Sequence, residues 1–192
     1  MKKRSITILY NSPVILTFAR LSLLALALGK LTGGWTTQNL FCVYRSPLTD
    51  LLTYPRFFLH VLGNPDFAAC CTNIVIMLAV GPMAEERFGS KRLLFAIAVT
   101  ALVTGLVLWF FFPNAALMGA SGVVFMLIVL ASFAGVRGGT IPLTLILVLA
   151  LYLGGEIVQA VTGEAGLQQL THIAGGVVGV IFGFWSSRGK RK

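Results

Sequence analysis

Six stretches of the chain are almost free of charge: Pro13 to Leu31, Phe67 to Ala84, Leu93 to Phe112, Ser121 to Val136, Ile141 to Val158 and Leu167 to Trp185. Between them they carry only Arg20, Lys30 and Glu156. A helix needs roughly 20 apolar residues to cross the ~30 Å hydrocarbon core of a bilayer, and these runs fall at or near that length. In lipid the helix is one of only two backbone forms that satisfy every N–H and C=O. The pattern therefore predicts an all-α, multi-pass integral membrane protein built as a six-transmembrane-helix bundle. Composition agrees, because 57% of the 192 residues are hydrophobic and only 11% charged, too few to cover a soluble core. Apart from Thr32 to Pro65 the connections are short, and no repeat is visible. Residues 1–192 are expected to form a single membrane domain, with residues 1–12 and the basic tail 186–192 outside the bundle.

A net charge of +9 invites a nucleic-acid reading. The basic residues, however, lie in separate clusters between the apolar runs, where Lys and Arg set membrane orientation. With the amino terminus inside, the cytoplasmic face collects Lys2, Lys3 and Arg4, then Arg87, Lys91 and Arg92, then Arg137, then Arg188, Lys190, Arg191 and Lys192. That is eleven of the fifteen basic residues, so both termini are expected in the cytoplasm and no nucleic-acid partner is expected. The start "MKKR" resembles that of a signal peptide, but no small-residue cleavage site closes the first run, which is read as a retained helix. Cys42, Cys70 and Cys71 have neither zinc nor redox spacing and are read as core residues. No metal or organic cofactor is called for.

The fourth run is short: 16 residues rise roughly 24 Å, less than the hydrocarbon thickness. If Arg137 holds its inner end, Ser121 at the outer end stops below the membrane surface. Irregular backbone at that depth must be buried in protein or line a wet cavity. In the sixth run His172 lies about five residues from the outer end, roughly 8 Å down, so the two side chains share a depth. Gly175, Gly179 and Gly183 repeat every four residues and form a face on which two helix backbones can touch. Gly175 and Gly176 lie one turn from His172.

An imidazole can take the proton that keeps a serine from attacking. Backbone N–H groups at the start of the fourth helix, including that of Ser121, can meet an oxyanion. Gly119 and Gly122 let a substrate come close. Asp66 is the only carboxylate near a matching depth, so the expectation is a Ser121/His172 dyad. Two plainer readings stay open: the tetrad Gly119 to Gly122 as a helix-packing contact, and His172 as a hydrogen-bonded core residue.

At these residues the sequence resembles the rhomboid family of intramembrane serine proteases. "GASG" resembles that family's Gly-x-Ser-Gly nucleophile motif, "HIAGG" its sixth-helix base, and "GPMAEERFGSKRLL" its segment after the second span. The resemblance covers roughly Thr53 to Trp185. It implies Ser121 as nucleophile, His172 as general base, Asn73 as an oxyanion donor and Phe125 stacked on the imidazole. It also implies that Arg56 and the aromatic residues of "YPRFF" anchor the first outer connection to the membrane surface. The second span departs from the family pattern, with Ala69 where an oxyanion histidine is usual and Asn64 where another histidine is usual. Asn64 is expected to lend a donor if the loop brings it close, and His60 receives no role. Glu85, Glu86 and Arg87 read as a solvated cap or local ion pairs.

The implied activity is cleavage of single-span membrane proteins in or near their transmembrane segment, in a bacterial cytoplasmic (inner) membrane. The alternative is a weak or inactive relative that binds transmembrane clients. A small transporter ranks last, because the polar groups gather toward one side of the membrane.

Overall fold

Proline at the first position of α1 (Pro13–Leu31) removes an N–H that the helix could not have used, and the helix runs to the predicted boundary. The computed structural model describes residues 11–133 and 166–188, with isolated positions 143, 146, 147, 150, 154 and 158. After α1 come a short α2 (Trp35–Asn39), the strand β1 (Val43–Tyr44), and α3 (Thr53–Leu59), which tightens into a 3-10 turn over His60–Leu62. Next are α4 (Phe67–Phe88), α5 (Ser90–Phe111), the strand β2 (Ala116–Leu117), α6 (Ser121–Phe133) and α7 (Leu167–Arg188).

Among the described residues α1, α4, α5 and α7 are long and apolar enough to cross a membrane, and α6 is a shorter apolar helix. The chain is thus a helical integral membrane protein. The expected fifth span, Ile141 to Val158, lies outside the described residues apart from the isolated positions. Residues 134–136 of the expected fourth span lie outside them as well.

The shortest of these apolar helices is the centre of the bundle. Every residue from Gly122 to Leu127 is buried, with Val129, Leu130 and Phe133; a helix apolar on all sides has no face to offer water and packs inside. It packs most extensively against α7, then against α4. Met77 of α4, Leu93 and Ala96 of α5 and Val178 of α7 complete the core around it.

Three expectations change. The fold is not purely helical, because β1 and β2 pair antiparallel with Val43 opposite Leu117 and Tyr44 opposite Ala116. Arg56 is not a membrane anchor. It is 2% exposed, donating from Nε to the Asn39 carbonyl at 2.8 Å and from Nη1 to Asp50 at 2.9 Å. Its guanidinium also lies 4.6 Å from the Tyr44 ring centroid. The Leu52 N–H and the Arg56 guanidinium hold the Asp50 carboxyl below its usual range. Glu85, finally, is buried and not solvated: its carboxylate accepts the N–H groups of Val14 and Ile15 and the Ser90 hydroxyl. A carboxylate against the first turn of α1 meets the positive end of that helix dipole.

Candidate active site

Ser121 opens α6. The Ala120 carbonyl accepts the Val124 N–H at 2.8 Å, so the N–H groups of Ser121, Gly122 and Val123 precede any acceptor within the helix and point out of its positive end. Half-buried Ser121 lines an open cavity of about 510 Å³. The other walls are Pro65, Ala69, Thr72 and Asn73, the segment Ala116 to Gly119, and Leu167.

The backbone reaches Ser121 through a bend that only glycine adopts easily: Gly119 has φ +129°. Upstream, β2 is paired to β1. The Gly119 N–H donates to the His60 carbonyl at 2.9 Å. The segment leading into α6 is therefore bonded to the first connection twice.

On the other side α6 meets α7 backbone to backbone. A Cβ on Gly175 would fall on the Gly122 carbonyl, 2.8 Å from its carbon and 3.1 Å from the Gly122 Cα. A Cβ on Gly122 would lie 3.1 Å from the Thr171 carbonyl oxygen and 3.1 Å from Thr104 Cγ2. Gly176 is buried beside this contact. Ser121 and His172 each stand one residue from the meeting point, on opposite helices. The His172 imidazole stacks on Phe125, with centroids 4.1 Å apart and planes at 8°. Phe125 is one turn beyond Ser121, and helical side chains lean toward the amino end. The ring thus lies against the α6 face that carries Ser121. The cavity wall includes Ser121 but not His172.

The polar groups on α4 form a chain. The Asn73 amide donates to Asn64 Oδ1 at 3.2 Å, and the Asn64 amide donates to the Leu62 carbonyl at 3.2 Å. Asn73 lines the Ser121 cavity; buried Asn64 does not, and lines a neighbouring cavity that also holds Lys30 and Asp66. The structure places Asn64 as the partner of Asn73, away from the Ser121 cavity. Ala69 offers that cavity only a methyl, since its N–H is bound at 2.7 Å by Asp66, the cap of α4. Asp66 is the N-cap of α4.

Sequence reasoning gave no role to His60 or to Thr104. His60 is 1% exposed. Its Nδ1 lies 3.1 Å from the Arg56 carbonyl and its Nε2 3.2 Å from the Thr104 hydroxyl. Burial pushes its pKa down to about 4, against the opposing pull of the Arg56 and Phe57 carbonyls. No local signal marks the Thr104 contact, which joins residues far apart in the chain.

A polytopic helical membrane protein, with a serine at the head of its central helix and an imidazole on the adjoining one, is the class that fold and site define. The family model for the Rhomboid domain matches residues 52–189. The chain belongs to the rhomboid family, whose members are generally intramembrane proteases, though some are inactive. No curated protein sequence matches the chain.

Proposed function

We propose that the chain is an intramembrane serine endopeptidase, acting through a Ser121/His172 dyad on single-span membrane proteins. The observation that carries this reading is the seam at Gly122 and Gly175, together with the Phe125–His172 stack, beside a cavity walled by Ser121. His172 takes the Ser121 proton as the hydroxyl oxygen attacks the scissile carbonyl. The oxyanion forms beside the first N–H groups of α6 and the Asn73 amide. His172 then passes its proton to the leaving amine, and water releases the acyl group from Ser121. In this reading residues 1–192 act as one domain in a bacterial cytoplasmic membrane, with both termini in the cytoplasm.

Labelling by a fluorophosphonate is the test. The wild type is expected to react, and Ser121→Ala and His172→Ala are not; equal labelling of all three removes the proposal. A second reading, a weak or inactive protein that binds transmembrane clients, draws support from Ala69, which adds only a methyl to the cavity wall it shares with Thr72 and Asn73. It expects client capture by wild type and Ser121→Ala alike, with no cleavage by either.

A further inference from the structure

Four contacts converge on His60. Its carbonyl accepts the Gly119 N–H at 2.9 Å and the Gly63 N–H at 3.1 Å, while its ring spans from the Arg56 carbonyl to Thr104 of α5. A carbonyl only accepts, so Nδ1 carries the proton that goes to Arg56, and in a neutral ring Nε2 is left as an acceptor. The one hydroxyl proton of Thr104 has three acceptors in reach: His60 Nε2 at 3.2 Å, the Thr100 carbonyl at 2.8 Å and the Ala101 carbonyl at 3.1 Å. Donation to Nε2 is the arrangement that leaves no buried ring nitrogen without a partner. The same Thr104 turns its methyl toward Gly122, at 3.1 Å from where a Cβ would stand there. His60 and Thr104 thus bracket Ser121 in the chain, one bonded to Gly119 and the other packed on Gly122.

We infer that His60 is a positioning residue for Ser121: with its ring pinned between Arg56 and Thr104, it fixes the Gly119 N–H and so sets where the hydroxyl stands. This rests on the reading of Ser121 as a nucleophile. A neutral ring serves because both of its bonds are then made, and burial keeps it in that form. The first connection thereby acts on the chemistry without touching substrate, through a backbone bond two residues before the serine.

The test is the concentration dependence of fluorophosphonate labelling on the full-length protein, separating the maximal rate from the half-saturating concentration. Thr104→Val removes the hydroxyl at nearly constant volume, and Thr104→Ser keeps it. Thr104→Val is expected to slow the maximal rate about tenfold, short of the ~100-fold that a ~1 Å misplacement of a reacting group can cost, with half-saturation unchanged. Thr104→Ser is expected to restore it. His60→Gln combined with Thr104→Val is expected to be no slower than the slower single variant, since both act through one bond. A wild-type rate in Thr104→Val, or effects that multiply in the double variant, overturns the positioning role while wild-type labelling leaves the protease reading standing. Absence of labelling in the wild type itself removes both.

Discussion

Along the α6–α7 seam the contact is made where side chains are missing: Gly175 lies on the Gly122 carbonyl, and Gly179 lies over Met126 and Val129. The first connection is held the opposite way, by long polar side chains brought indoors. Arg56 reaches Asn39 and Asp50, and His60 reaches Thr104. Both regions end at Ser121. A seam of bare backbone fixes a distance but has nothing to spare, so any added atom is felt. A polar network fixes directions, and it is the removal of atoms that is felt there.

The contrast can be broken at either end. The largest effect is expected from Gly175→Val, whose side chain has no room beside Gly122; overpacking there is expected to cost more than about 3 kcal/mol. Unfolding in detergent measures it, and wild-type stability would mean that the helices do not touch at that point. Next is the pH dependence set by His60. Its folded pKa of about 4 lies below the ordinary 6.5, so the unfolded chain binds the proton first as pH falls. The stability of the neutral ring is whole above about pH 6.5 and is lost progressively toward pH 4, about 3 kcal/mol in all. His60→Gln is expected to flatten that slope relative to wild type, and parallel curves would refute the assignment.

Arg56→Met comes third. It strands the Asn39 carbonyl and the Asp50 carboxylate, at about 2 kcal/mol, read from the same unfolding measurement. Smallest is Asp50→Asn, expected to cost less than Arg56→Met in the same measurement, because Asp50 is 38% exposed and an amide oxygen still faces Arg56. If Asp50→Asn proves as damaging as Arg56→Met, the network is held by charge and not by the direction of its hydrogen bonds.

The same contrast separates what could be read in the sequence from what could not. α1 ends where its apolar run ends, since bilayer thickness sets helix length. The α6–α7 seam was legible because glycines four residues apart mark one face without reference to any partner. α4 and α7 extend beyond their apolar runs, to Phe88 and Arg188, because the polar residues that follow those runs continue the helix. The first connection carried no such signal. Val43 with Leu117 and His60 with Thr104 are pairs made by tertiary contact, and neither member of a pair predicts the other. The burial of Glu85 escaped for the same reason, since its partners, Val14 and Ile15, lie at the far end of the sequence.

The pairing of Val43–Tyr44 with Ala116–Leu117 also sets an order of events at the ribosome. The earlier strand leaves the tunnel long before its mate, and two long helices must be threaded into lipid in between. Residues just ahead of Ser121 gain their template only then, and His172 arrives later still. Under the proposed Ser121/His172 mechanism, a nascent chain is inert toward its neighbours in the translocon until the helix that carries His172 has been inserted.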